Sequence, residues 1–135
     1  MSCPLCDAPG GEVLWQDEFC RIVLAEDTPG YPGFCRVILN RHAREMTDLD
    51  RHECDRLMAA VWKAEQAVRD VLHPDKINLA SLGNVVPHLH WHVVPRFLHD
   101  PHFPNPIWGE ARRAAAPAQH PHPGEALRKA LGQAA

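Results

Sequence analysis

The stretch Val85 to Phe97, VVPHLHWHVVPRF, constrains this chain more than any other. In it His88, His90 and His92 alternate with Leu89, Trp91 and Val93. Alternation of period two is the signature of a strand with one buried face. Successive side chains on a strand point to opposite faces. Leu89, Trp91 and Val93 are therefore expected to face the core, and the three imidazoles the other side. A strand advances about 3.3 Å per residue, so His88 and His92 start roughly 13 Å apart. Zinc holds its ligands at about 2 Å. One flat strand cannot deliver all three rings to one ion. At most two neighbours share a metal, and at least one histidine has another job or none. A single histidine on an exposed strand face is an ordinary polar surface residue. Three in strict alternation opposite an apolar face point to a functional site, because histidine serves both acid–base chemistry and metals near neutral pH.

The segments before this strand supply its scaffold. Glu12–Gln16 and Phe19–Leu24 read as two short strands joined at Asp17-Glu18, and Phe34–Leu39 as a third. TPGYPGF, with two prolines and two glycines, is a turn-rich loop. Asp50, with Glu53 three residues on, is an acidic form of the capping box. Leu57, Val61, Ala64, Val68 and Leu72 follow at helical spacing, and His73-Pro74 ends the helix. DKINLASL is a fourth strand, Gly83-Asn84 turns the chain, and the histidine strand is the fifth. Strand, strand, strand, helix, strand, strand implies an α+β domain: a meander-like antiparallel sheet with the helix on one face. That domain is expected to take residues 1–108, with Pro101 to Trp108 lying extended over it and Phe103, Ile107 and Trp108 as anchors. Residues 109–135 are an Ala/Pro/His-rich tail, read as partly disordered, with Ala114 to Pro123 as a linker. Glu125 to Leu131 has the makings of a helix too short to hold alone. His99, His102, His120 and His122 follow no pattern and are expected to be solvent-exposed.

Composition removes several classes of function. With 135 residues the chain is long enough for one real core. A formal net charge of -3 and the lack of a Lys/Arg run argue against general nucleic-acid binding. No apolar run approaches the roughly 20 residues of a membrane span. The start, MSCPLCDAPGG, lacks the basic and then apolar regions of a secretory signal. Five scattered cysteines, Cys3, Cys6, Cys20, Cys35 and Cys54, do not make a disulfide framework. A reducing cytoplasm is therefore the expected location. Cys3 and Cys6 do have the spacing of a zinc knuckle, although one such pair also fits an ordinary reduced N-terminus.

The sequence HLHWHVV resembles the His-φ-His-φ-His-φ-φ signature of the histidine triad family, where φ is apolar. VILNRHAREMTDLD resembles the lead into that family's central helix, and INLASLGNVVPHLHWHVVPRF its last hairpin. The likeness covers about Val13 to Phe97. It implies a five-stranded antiparallel sheet with one main helix, two such sheets being joined in a homodimer. It further implies a nucleotidyl hydrolase or transferase. Its substrates would be of the dinucleoside polyphosphate or nucleoside phosphoramidate type, cleaved at the α-phosphate through a nucleotidyl-histidine intermediate. His90 matches the nucleophile. A neutral imidazole with an unperturbed pKa near 6.5 suits that task. In the family a backbone carbonyl of the triad strand accepts its Nδ1–H. His92 matches the histidine that contacts the phosphate and helps the leaving group. Asn78 and Asn84 match amides around the phosphate, where neutral donors suit an anion whose charge shifts. Glu26 matches the position that binds the ribose hydroxyls, with Asp27 the neighbouring candidate. A Gly-Asn turn and a solvated acidic loop account for these residues equally simply.

Members with a similar N-terminus hold zinc through the two cysteines, a histidine after the third strand and the first triad histidine. Here those are Cys3, Cys6, His42 and His88. The resemblance thus implies a structural zinc and no cofactor in the chemistry. Two departures stand out. Gly33-Phe34 replaces a common Gly-His pair, and Leu82 stands where a small residue is usual, in a shortened turn. Two alternatives stay open. One is a zinc hydrolase in which His88 and His90 hold a catalytic ion. The other is a nucleotide-binding protein without turnover, which Phe34 favours.

Overall fold

A computed structural model describes residues 2–117 and 120–132. Its strands are β1 (Glu12–Gln16), β2 (Cys20–Leu24), β3 (Cys35–Leu39), β4 (Lys76–Ala80) and β5 (His90–Arg96). The β1–β2 hairpin is made by Asp17, whose carboxylate accepts from the backbone N–H of Phe19 and Cys20 at 2.8 and 2.9 Å. The sheet is antiparallel throughout, in the order β1-β2-β3-β5-β4. This departs from a plain meander, because β5 enters between β3 and β4. The long helix carries the chain past one strand position before β4 begins, and β5 fills that position on its return. An apolar strand such as WHVV is better placed in the sheet's interior, covered on both faces, than at an edge.

The chain has a one-turn helix α1 (Pro4–Asp7), the long helix α2 (Arg51–Leu72) and a C-terminal helix α3 (Gly124–Leu131). The capping box of α2 forms as the sequence implies. Glu53 N–H donates to Asp50 at 2.9 Å, and Asp50 N–H donates to Glu53 at 3.0 Å. His73 closes the helix in the left-handed region at φ 49°. Leu57, Val61, Ala64, Val68 and Leu72 are buried against Leu14, Ile22, Val37, Leu39, Leu89 and Val93 of the sheet. Each large side chain so buried contributes about 1.5–3 kcal/mol. Leu89, Trp91 and Val93 thus do pack on the helix side.

The opposite sheet face is not left to solvent. Ala25, Tyr31, Phe34, Val94 and Ile107 form a second small core there. The chain after β5 folds back to make it, and Arg96 holds that fold. Arg96 is 1 % exposed, and its guanidinium donates to Asp100 at 2.8 and 3.1 Å and to the Asn105 carbonyl at 2.7 Å. It also lies over the rings of Tyr31 and Phe103, at 5.9 and 5.5 Å. Asp100 in turn accepts from the backbone N–H of Phe97, His102 and Phe103. His102, expected in solvent, is half-buried, with Nδ1 2.6 Å from the Tyr31 hydroxyl. Ile107 is a buried anchor, while Trp108 is half-exposed and touches the domain through the His92 ring.

Helix α3 packs on α2 and β1, burying Leu127 and Leu131. Arg128 pairs with Glu12 of β1 at 2.7 Å. These contacts give a marginal helix the tertiary partner it needs. The tail's expected disorder falls in part on residues 118, 119 and 133–135, which lie outside the described residues. Among the described residues no helix is long and apolar enough to cross a membrane.

Candidate functional site

Strand β5 starts at His90, so the first triad histidine lies just before it. His88 N–H donates to the Val86 carbonyl and Leu89 N–H to the Ala43 carbonyl, at 2.8 and 2.7 Å. This break from the ladder frees His88 to turn from its two neighbours. Its Nε2 is 2.6 Å from the Leu39 carbonyl. A carbonyl only accepts, so Nε2 carries the proton and Nδ1 a lone pair. Burial lowers the pKa of His88 and keeps the ring neutral.

That lone pair faces Cys3 Sγ at 3.4 Å, Cys6 Sγ at 3.5 Å and His42 Nδ1 at 3.3 Å. Cys6 Sγ is 3.6 Å from His42 Nδ1, and the four ligand atoms lie within 4.8 Å of one another. Tetrahedral zinc at ordinary Zn–N and Zn–S lengths puts its ligands about 3.3–3.8 Å apart. The donor set fits such an ion. Helix α1 presents the two thiols by turning at Cys3, whose carbonyl accepts from Cys6 and Asp7 N–H at 3.0 and 2.9 Å. The buried Arg21 of β2 ties this segment down, donating to the Leu5 carbonyl at 2.6 Å and the Pro9 carbonyl at 2.8 Å. It also donates to Asn40 at 3.0 Å. Only the lone arginine in CRIVL hinted at Arg21 in the sequence.

The other two imidazoles form a separate site. His90 Nδ1 is 2.5 Å from the His88 carbonyl and must donate to it, which leaves Nε2 as an unprotonated base. Arg36 Nε donates to His92 Nδ1 at 3.4 Å, so the proton of His92 sits on Nε2. The two rings meet edge to face, with centroids 4.9 Å apart. Phe34 stands against His92 at 5.7 Å, where the sequence lacks the common histidine. Trp108 covers His92 from another side, at 4.9 Å. Burial lowers the pKa of both histidines. For His92 the nearby His90 and Arg36 add to the effect, Asp27 opposes it, and the value falls to about 4. Both rings are therefore neutral at pH 7.

His90 and His92 line a cleft of about 610 Å³, together with Asn84, Asp27, Arg36 and Trp108. That volume lies in the range of small-molecule sites. Two sequence candidates sit elsewhere. Asn78 of β4 gives its Oδ1 to Arg96 Nη1 at 2.7 Å. Glu26 faces a different cleft, with Glu12 and Glu125. Its neighbour Asp27, at the bend that follows, is the one that lines the triad cleft, where it pairs with Arg36 at 3.1 Å. Arg36 and Trp108 escaped sequence reasoning. Arg36 had a signal, since a charged residue interrupts CRVIL, and it sits directly across from His92 in the β3–β5 register. Trp108 had none, because a non-local clamp places it.

The family model for the HIT domain matches residues 10–99. This chain belongs to the HIT domain family. A curated relative described as AP-4-A phosphorylase, from Mycobacterium tuberculosis, is 34% identical over 87 residues. That match takes in 60% of this chain and 45% of the relative, so the chain spans about half the length of that relative. A histidine triad protein from Bradyrhizobium japonicum has a similar structure, with a TM-score of 0.74 and 28% identity over 89% of this chain and 91% of that one. A Zn-bound histidine triad family protein from Mycobacterium smegmatis is also similar, with a TM-score of 0.68 and 27% identity. That likeness covers 97% of this HIT chain and 94% of the other.

Proposed function

We propose that this HIT domain hydrolyses or transfers nucleotidyl groups, cleaving a nucleotide substrate at its α-phosphate through a nucleotidyl-histidine intermediate. The orientation of His90 carries this reading. With Nδ1–H given to the His88 carbonyl, Nε2 keeps a lone pair beside an open cleft. In the first step that lone pair forms a bond to phosphorus, and the bond to the leaving group breaks. As the phosphate anion arrives, Arg36 turns its Nε–H from His92 Nδ1 to that anion, Nδ1 takes a proton from solvent, and the imidazolium passes its Nε2–H to the departing atom. Water then attacks phosphorus, the P–N bond to His90 breaks, and a proton from that water returns to His92. The net result is the monophosphate plus the protonated leaving group.

Asn84 and Arg36 serve the phosphate from the cleft wall, and Asp27 is better placed than Glu26 for the ribose hydroxyls. Asn78 acts indirectly, by steadying Arg96. Cys3, Cys6, His42 and His88 would hold a structural zinc, a reading supported by their donor set and by the Zn-bound relative. The rival zinc hydrolase has less support, because His88 and His90 turn their free nitrogens to different sites. Phe34 favours a binding protein without turnover only insofar as His92 needs an imidazole in its place.

The test is incubation with an adenosine phosphoramidate and a dinucleoside polyphosphate, followed by alkaline quench and intact mass measurement. One adenylyl group should appear on the protein and map to His90. A folded His90→Ala variant should lose both label and turnover. Turnover retained near the parental level would remove His90 as nucleophile.

A further inference from the structure

The segment that carries Cys3 and Cys6 has little of its own to hold it. Helix α1 is a single turn, none of its residues is buried, and a helix that short does not persist without tertiary partners. The carbonyls at its C-terminal end have no partners within the helix. Arg21 of β2 takes them. Its Nη2 donates to the Leu5 and Ala8 carbonyls at 2.6 and 3.2 Å, and its Nε to the Pro9 carbonyl at 2.8 Å. Nη1 donates to Asn40 Oδ1 at 3.0 Å, and Asn40 Nδ2 in turn donates to the Asp17 carbonyl at 2.9 Å. Four of the five N–H donors of the guanidinium are thus committed, three of them to this one stretch of main chain.

Arg21 is buried, at 8% exposure, and among the described residues no carboxylate pairs with it. A buried charge without an opposite partner burdens the fold, so its place here follows from what a rigid fork of donors can hold. Its neighbours Cys20 and Ile22 lie in the core under α2, which puts Arg21 on the other sheet face, across from Ile38. The segment lies close against that face. A Cβ at Gly10 would stand 2.8 Å from Leu5 Cδ2 and 2.9 Å from Ile38 Cδ1. Every partner of the guanidinium is a carbonyl or amide oxygen. None is a thiol or an imidazole, so these bonds neither compete with a metal nor require one.

We propose that Arg21 docks the cysteine segment in ligand geometry by itself, so that a metal ion enters a preformed site whose affinity Arg21 sets. This rests on the zinc reading of Cys3, Cys6, His42 and His88 and deepens it. Arg21 is a positioning residue. It fixes the carbonyl of Leu5, between the two cysteines, and the exit of the turn at Ala8 and Pro9, with the thiols held 3.4 and 3.5 Å from His88 Nδ1. Ordering the segment beforehand removes that cost from binding, and the ion binds more tightly.

The experiment measures zinc affinity by competition with a chromophoric chelator, and backbone order by amide relaxation NMR, on full chains of the parent, Arg21→Met and Arg21→Lys. In the chelated parent, order parameters at Cys3, Leu5, Cys6, Asp7 and Ala8 should match those of β2, and lower values overturn the proposal. Arg21→Met should lower them in the chelated protein and weaken zinc binding by about 10–100-fold, the scale for groups that orient metal ligands. Arg21→Lys, with the charge but no fork, should fall between. A guanidinium that only stabilises the fold would lower the urea midpoints of chelated and loaded protein alike and leave the zinc affinity of Arg21→Met at the parental value, which refutes the proposal. If Arg21→Met does not fold, the other two chains decide: a disordered segment in the chelated parent, or parental affinity in Arg21→Lys, refutes it. A parent that binds no zinc removes the metal reading on its own. The order parameters of parent and variants then decide whether Arg21 docks the segment.

Discussion

Asp100→Ala should cost far more stability than Arg96→Met, although the two residues form one ion pair. Both side chains are almost wholly buried, 4% and 2% exposed. Removing the carboxylate strands a guanidinium in the interior and also strands three backbone donors, those of Phe97, His102 and Phe103. Breaking a buried pair from one side costs about 3–5 kcal/mol. That is a large share of the 5–15 kcal/mol typical of a domain. Arg96→Met removes the charge but fills the space between the Tyr31 and Phe103 rings. Asp100 then keeps its three N–H donors and the Tyr31 hydroxyl at 3.2 Å. The loss should be nearer 1–3 kcal/mol, roughly that of unmade hydrogen bonds to a charged group. Urea unfolding at constant m would show the Asp100→Ala midpoint lowered by about 2 M and the Arg96→Met midpoint by half that or less. A reversed order, or both changes under about 1 kcal/mol, would refute the reasoning. The pH dependence provides a second check. Burial pushes the Asp100 pKa up, but Arg96 and the backbone donors outweigh it and hold it well below the ordinary 3.8. Its contribution is complete above that value and is lost as pH falls below it.

Three further outcomes are expected. His92 titrates near 6.5 when unfolded and about 4 when folded, so the unfolded chain binds the proton first and stability falls by roughly 3 kcal/mol between those values; in urea titrations at stepped pH, a His92→Gln variant with an unchanged slope would contradict this. The parent chain should carry about one zinc and melt lower after strong chelation, while a Cys3→Ser, Cys6→Ser variant should bind none; metal-free parent protein from a chelator-free preparation would count against the site. A homodimer is expected, with the open edge of β4 and the exposed Trp62 as surfaces to be covered; light scattering giving a monomer at micromolar concentration would exclude it.

The local parts of this fold were readable from the sequence because their causes are local. Asp50 and Glu53 cap α2 through bonds three residues apart, and β1 spans the same residues by pattern as by hydrogen bonding. The alternation in HLHWHVV correctly sent Leu89 and Val93 to the helix side. What the pattern cannot carry is whatever covers the second face. Arg96 and Asp100 are ordinary surface-type letters, and only their mutual burial turns the chain back over the triad. The position of β5 between β3 and β4 is likewise a long-range outcome, since a meander has the same order of elements in sequence. Glu26 and Asp27 differ by one residue, and the bend at Asp27 leaves the two side chains on different clefts, which no local pattern announces.

The geometry at His88 joins the two candidate sites in a way that strict alternation would have prevented. Had β5 begun at His88, its ring would have lain beside those of His90 and His92. Instead the strand starts two residues later, and His88 uses three groups for three purposes. Its Nδ1 faces the thiols, its Nε2–H fixes the ring on Leu39, and its carbonyl takes the Nδ1–H of His90. An ion held by Cys3, Cys6, His42 and His88 would therefore fix the backbone that sets the tautomer of the candidate nucleophile. Metal loss should then disturb His90 through its acceptor. Its first sign would be a changed ring NMR signal for His90 in the chelated, still folded protein. An unchanged His90 signal on metal removal would separate the two sites and leave the ion to the fold alone.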